Sequence, residues 1–196
     1  MGLDPLGEYR KKRNFSSTPE PSGGESSPGA PIFVVQKHDA STLHYDVRLE
    51  VNGVLKSWAV PKGPSTDPRV KRLAVPTEDH PLDYARFEGV IPEGEYGAGP
   101  VIVWDRGTYR NLKTDDDGNE VPMEAALERG HVTVWLDGEK LSGGYAFIRT
   151  GGDGKRWLLI KMKDEAADAR RNPVSTEQQS VVSGRTIEDV AKAGDA

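Results

Sequence analysis

The sequence, 196 residues long, contains no cysteine, which excludes disulfides, thiolate metal sites and thiol nucleophiles. No apolar run approaches the ~18 residues that a membrane span needs. The N-terminal MGLDPLGEYRKKRNF lacks the apolar stretch and small-residue cleavage site of a secretory signal, so a cytoplasmic protein with no membrane partner is expected. The common phosphate-binding and hydrolase signatures are also missing. GEYGAG (94–99) and GGDGKR (151–156) are rich in glycine but match neither G-x-x-x-x-G-K-[ST] nor G-x-G-x-x-G. There is no G-x-S-x-G elbow, and Lys113 stands where a calcium loop through DDDGNE would need its first acidic ligand. Positive charge, the usual mark of a nucleic-acid partner, is lacking overall, with a net charge of -5. The imbalance is local, however. Asp115, Asp116, Asp117, Glu120, Glu124, Glu128, Asp137 and Glu139, set against Lys113, Arg129 and Lys140, account for all of it. A basic cluster on the neutral remainder would suffice for a partner that engages only the end of a strand.

Turn formers are plentiful. The 22 glycines and 14 prolines make up about 18% of the chain against a usual ~12%, which suits many short strands and disfavours long helical bundles. Residues 1–30, with STPEPSGGESSPGAP, show no hydrophobic pattern and read as a flexible arm. PIFVVQ (31–36) and the alternating LHYDVRLEV (43–51) read as strands. Asn52-Gly53 then predicts a type I′ hairpin into VLKSWAV (54–60). Further strands are expected at 72–75, 87–90, 100–107, 131–138, 145–150 and 155–163. Helices are expected at 122–130 and at 187–194, the second opened by the capping box Thr186-x-x-Asp189. The expected fold is therefore mainly β: a compact antiparallel barrel over residues 31–165, with a few short helices, the flexible arm 1–30, and a C-terminal tail 166–196 carrying a short helix.

The candidate chemistry lies in LHYDVRLE. A period of two puts Leu43, Tyr45, Val47 and Leu49 on one face, and His44, Asp46, Arg48 and Glu50 on the other, with neighbours on a face about 6–7 Å apart. If Asp39-Ala40-Ser41-Thr42 turns the chain back, the imidazole of His38 approaches His44. Two histidines and a carboxylate then suit Mn, Fe(II) or Zn, and the ligands alone do not choose among them. The competing view is that these residues are the strand's solvent face. Against it, two of only four histidines fall within seven residues, in phase with Asp46 and Arg48. His80 is expected in a loop, extended by Pro81. His131 receives no function.

The run FVVQKHDASTLHYDVRLEVNGVLKSWAVPKGPS, continued by LAVPTEDHPLDYARFEGVIPEGEYGAGPVIVWDRGTY, GEKLSGGYAFIRT and WLLIKMKD, resembles the 3′-phosphoesterase domain of prokaryotic DNA ligase D. The likeness spans about residues 8–165. It implies a compact β-barrel with a crescent-shaped groove and a manganese-dependent enzyme that heals 3′ ends. Such an enzyme removes a terminal ribonucleoside from a primer strand, then hydrolyses the remaining 3′-phosphate to a hydroxyl. His38, His44 and Asp46 fall on the family's metal ligands, and Arg48, His80 and Tyr84 on its phosphate-contacting and catalytic positions. Gln36, Lys62, Arg72 and Glu78 match further active-site positions, with Lys62 and Arg72 tied more to the monoesterase step. Arg13 and Glu20 match functional positions in the arm, where Asn14 replaces an aspartate found in many members. The implied partners are DNA or RNA-tipped primer-template 3′ ends and the ligase, polymerase and Ku components of end joining. A monomer working at the prokaryotic nucleoid is expected.

Two other readings compete. Two histidines and a carboxylate also make the facial triad of non-haem iron oxygenases, but there the second histidine usually lies far downstream of an H-x-D pair, and such chemistry does not call for Lys62, Arg72 and Arg48 together. A non-catalytic DNA-end or repair-partner binding module is the second. No nucleotidyltransferase lysine motif or primase-polymerase segment is found, and Met1 with a helix running to Ala196 favours an independent protein over an excised domain.

Overall fold

A computed structural model describes residues 4–24 and 29–194. Its nine described strands are β1 (Ile32–Asp39), β2 (Leu43–Val51), β3 (Val54–Val60), β4 (Lys71–Pro81), β5 (Gly89–Ile91), β6 (Gly99–Asn111), β7 (His131–Gly138), β8 (Ser142–Thr150) and β9 (Arg156–Lys161). All neighbours are antiparallel, in the order β1-β2-β3-β4-β9-β8-β7-β6, and β1 pairs with β6 to close an eight-stranded barrel. β5 lies outside the ring on the first residues of β6. The helices are α1 (Gly7–Lys11), α2 (Met123–Arg129), α3 (Pro173–Thr176) and α4 (Ile187–Gly194), with a 3₁₀ turn at Leu82–Arg86.

The β2–β3 hairpin follows from its turn. Asn52 and Gly53 both take positive φ, 50° and 82°, the type I′ geometry whose twist matches that of the flanking strands. The two-residue turn sets Val51 opposite Val54, and therefore Arg48 opposite Ser57 and Asp46 opposite Ala59. Because side chains alternate, Phe33, Val35, Tyr45, Val47, Leu49, Trp58 and Val60 enter the barrel beside Trp104, Phe147 and Trp157. Each such buried side chain contributes roughly 1.5–3 kcal/mol.

The outer face of the same strands is covered as well. Val34 and Leu55 join Tyr9, Leu82, Tyr84, Ala85 and Phe87 in a second buried cluster. Asp46 and Arg48 are therefore only 6% and 3% exposed, and the solvent-face interpretation of β2 does not hold. The arm supplies part of the cover. It carries little apolar surface, yet Tyr9 on α1 is fully buried, with its hydroxyl donating to the Pro21 carbonyl. Residues 4–24 of the arm thus lie against the barrel, while 25–28 fall outside the described residues.

One expected boundary is corrected. β4 continues past 75 to Pro81, so His80 is a strand residue opposite Leu55 and not a loop residue. Its polar stretch Thr77-Glu78-Asp79-His80 carries a loop's composition, but a register shift between Leu55 and Ser57 lets it keep pairing with β3. Beyond β9 the chain returns along the barrel. Trp104 Nε1 donates to the Glu177 carbonyl at 2.7 Å, Val181 N donates to the Val103 carbonyl, and α4 buries Ile187 and Val190 against Ile102 and Val90. The capping box forms as expected, with Thr186 N donating to Asp189 Oδ2 at 3.0 Å and Asp189 N to Thr186 Oγ1 at 3.2 Å.

Candidate active site

The β1–β2 register sets His38 opposite His44 and Gln36 opposite Asp46. His38, His44 and Asp46 line a groove of about 970 Å³ on the outer wall of the barrel, with Gln36 fully buried behind it. One potential ligand atom from each of His38, His44 and Asp46 lies within 4.8 Å of the others, a set that can hold a metal ion. The remaining ring nitrogens show why these imidazoles face inward. His38 Nε2 sits 2.6 Å from the Gly97 carbonyl, so it carries the proton and leaves the Nδ1 lone pair toward Asp46 Oδ2, 3.6 Å away. His44 Nδ1 meets the Thr42 carbonyl at 3.0 Å, freeing Nε2, which lies 3.2 Å from the same carboxylate oxygen. Fixing the tautomer through a backbone acceptor is how proteins orient histidine ligands, and the donor set suits a divalent ion. Burial opposes ionisation of Asp46, yet the Arg48 guanidinium and the two imidazoles hold its carboxyl far below the usual range. Burial likewise lowers the His44 pKa, but its bond to Asp46 outweighs this and raises it.

Arg48 is held like a clamp. Its Nε donates to Gln36 Oε1 at 2.7 Å and its Nη1 to Ser57 Oγ at 2.9 Å, while Nη2 lies 3.6 Å from Asp46 Oδ2. Gln36 is in turn fixed by donating to the Tyr84 and Phe87 carbonyls. On β4, His80 Nδ1 faces the Glu78 carbonyl at 2.9 Å, and its Nε2 lies 3.4 Å from Arg13 Nη2. Burial, with Arg48 and Arg13 nearby, pushes the His80 pKa well below its ordinary value. The ring is thus neutral and offers Nε2 as an acceptor.

The arm completes the wall. Glu20 Oε2 accepts from Arg13 Nε at 2.7 Å and from the Tyr84 hydroxyl at 2.8 Å, and Arg13 also donates to Glu78 at 3.2 Å. Burial, reinforced by Glu20, raises the Tyr84 pKa well above 10, so the phenol keeps its proton. The structure therefore gathers ten of the twelve sequence-identified residues: Arg13, Glu20, Gln36, His38, His44, Asp46, Arg48, Glu78, His80 and Tyr84. Eight of these line the groove, and Glu20 and Gln36 stand behind it, bonded to Arg13, Tyr84 and Arg48; the other two, Lys62 and Arg72, do not line it. Lys62 is exposed in the turn after β3, and Arg72 lies near the start of β4 with its Nε buried and without a hydrogen-bond partner. None of the acids of 111–140 lines it either.

A profile of the DNA ligase D 3′-phosphoesterase domain matches residues 36–149. The chain belongs to this family. It is 57% identical over 190 residues to the multifunctional non-homologous end joining protein LigD of Pseudomonas aeruginosa, an alignment covering 93% of this chain and 22% of that protein. The LigD of Mycobacterium tuberculosis is 49% identical over 164 residues, and that of Mycolicibacterium smegmatis 46% over 167. Each of these two alignments covers 83% of this chain, and 20% and 21% of the relative respectively. The chain thus spans about a fifth of the length of the curated relatives it matches. In this LigD-family chain Gly97 and Tyr96 also line the groove, and Ser57 and Lys12 bond residues that do. Ser57 was recoverable, since the Asn52-Gly53 turn alone fixes it opposite Arg48. Gly97, Tyr96 and Lys12 carried no local signal, because their positions depend on a turn and an arm folding back from distant parts of the chain.

Proposed function

We propose that this chain is a divalent-metal-dependent phosphoesterase acting at nucleic-acid 3′ ends. It removes a 3′-terminal ribonucleoside and then the 3′-phosphate, leaving a 3′-hydroxyl for non-homologous end joining. The observation that carries the reading is the convergence of His38, His44 and Asp46 with Arg48, Arg13 and His80 in one groove. A strongly depressed carboxylate beside guanidinium groups is the electrostatic setting for a phosphate-ester substrate.

His38, His44 and Asp46 would hold the ion, which we assign as Mn²⁺, and when bound it supplies Lewis-acid stabilisation of phosphoryl oxygens and lowers the pKa of water. The chain's own residues do the rest. Arg48, immobilised through Nε and Nη1, presents its Nη2 edge to the non-bridging oxygens at no further ordering cost. Neutral His80, its Nδ1 engaged with the Glu78 carbonyl, accepts a proton of the attacking water at Nε2, the atom that faces Arg13 Nη2 at 3.4 Å. Tyr84 packs edge-on to His80, with ring centroids 4.7 Å apart, and positions it. Arg13, tied to Glu20 and Glu78, closes the groove over the phosphate. Lys62 and Arg72 we assign to the monoesterase step on the family likeness alone, since neither lines the groove. The partners we assign are DNA or RNA-tipped primer-templates and the ligase, polymerase and Ku components that use the healed end, with the chain acting as a cytoplasmic monomer at the nucleoid.

Phosphate release from a 3′-phosphorylated primer, and shortening of a primer with one 3′ ribonucleotide, test this directly when run with and without Mn²⁺. Activity that needs the ion supports the proposal. Strand binding without turnover would instead indicate a non-catalytic end-binding module.

A further inference from the structure

The large apolar and aromatic side chains left exposed among the described residues are Leu43, Leu73, Tyr96, Leu112 and Val182, and of these Tyr96 alone lines the groove. Single exposed apolar residues are ordinary, but this ring, 50% exposed, is fixed in a particular place. It rides on a turn closed by Glu95 N donating to the Pro92 carbonyl and Ala98 N to the Glu95 carbonyl, both at 3.1 Å. The next residue, Gly97, takes φ +76° and offers the carbonyl that orients His38. The ring thus sits one peptide unit from a contact of the metal set. Two cations of the arm lie over the ring, Lys12 Nζ 4.8 Å and Arg13 Cζ 5.5 Å from its centroid, and half of the residue's surface stays open to a base. Ion pairs hold both cations in turn, Lys12 to Glu78 and Arg13 to Glu20 and Glu78.

An aromatic face beside cations, at the mouth of a groove that receives a phosphate, is the arrangement that single-stranded nucleic-acid sites use to stack a base while basic groups track the backbone. We propose that Tyr96 is a stacking platform for the nucleobase of the nucleotide whose 3′-phosphate enters the His38–His44–Asp46 set. The inference rests on the 3′-end phosphoesterase reading and adds to it a contact that recognises the nucleoside. Every base has a π-face, so the contact is tolerant of sequence and favours purines by their larger area. It would distinguish a nucleotide end from a bare sugar phosphate, which Arg48 and the metal set alone do not.

The experiment compares two 3′-phosphorylated strands, identical except that the terminal nucleotide of one is abasic, with wild type, Tyr96→Ala and Tyr96→Phe in Mn²⁺. On the ordinary strand, Tyr96→Ala is expected to raise KM roughly tenfold, within the range measured for base–aromatic stacking, with kcat changed little. Tyr96→Phe, which keeps the ring, is expected to restore KM. On the abasic strand the KM advantage of wild type over Tyr96→Ala should disappear. An equal loss on both strands would overturn the proposal, because the ring would then act only by seating Lys12 and Arg13. An unchanged KM for Tyr96→Ala on the ordinary strand would overturn it too. Wild-type protein inactive on both strands would sink the phosphoesterase reading and this inference with it.

Discussion

On the proposed function, replacing His38, His44 or Asp46 by alanine takes away one of three metal ligands, so metal affinity and water activation should fall together. Each variant is expected to lose both cleavage steps by at least about 100-fold. A manganese titration on a primer with one 3′ ribonucleotide checks this, and near-normal turnover by Asp46→Ala at low Mn²⁺ would remove the carboxylate from the site. Arg48→Lys should be nearly as damaging as Arg48→Ala, on the order of a 100-fold loss in kcat/KM. The guanidinium bonds Gln36 through Nε and Ser57 through Nη1 while Nη2 faces Asp46 Oδ2 at 3.6 Å, and an ammonium cannot span these directions at once. Recovery of most of the rate with lysine would reduce Arg48 to a simple charge. The His80 ring should protonate only well below its ordinary range in an NMR titration of protein without added metal. Its depressed pKa has a sign for stability as well. Unfolded His80 binds a proton below about pH 6.5, and the folded residue does so only at lower pH. This residue therefore subtracts stability as the pH falls through that window and contributes nothing above it. A protonation midpoint at or above 6.5 would contradict the buried, twice-guanidinium-flanked environment.

At the scale of elements, the arm is the segment whose role the structure changes. Its composition promised a chain with too little apolar surface to join a core, yet Tyr9 is fully buried in the outer cluster and Arg13 reaches Glu20, Glu78 and His80. Tyr9→Ala should cost about 3 kcal/mol and lower the melting temperature by roughly 6–12 °C. Removing residues 1–24 leaves the interior cluster whole, because Tyr9 belongs only to the outer one. We expect the truncated barrel to fold with a lower melting temperature and to lose activity on duplex primer-templates along with Arg13 and Glu20. Calorimetry and a cleavage assay on the same preparation test both halves. Full-rate cleavage would make the arm a passive cover, and failure to fold would place it inside the minimal domain.

For the whole molecule, acidity and the proposed nucleic-acid partner are reconciled by position. The acids of 111–140 do not line the groove, and the cations that do are already tied to Glu20, Glu78 or Asp46. Few counterions should therefore be released on binding, and a plot of log affinity against log salt for a primer-template should have a shallow slope, about -2 to -4. A steep slope near -8 would call for a phosphate track outside the groove. Local rules in the sequence determined much of this architecture. Alternation over 43–51, the Asn52-Gly53 turn and the 186–189 cap each involve residues within a few positions of one another, where sterics and hydrogen bonding act without help from the rest of the chain. For the same reason His44, Asp46 and Arg48 could be placed on one face before any fold was known, and His38 beside them once a turn at 39–42 was assumed. Barrel closure through β1 and β6, the burial of that polar face, the strand position of His80 and the seating of Tyr9 and Tyr96 were decided only in three dimensions. Each depends on surfaces from distant segments, such as Tyr9 against Tyr84 and the Gly97 carbonyl against His38, whose free energy of contact exists only once the barrel has brought them together.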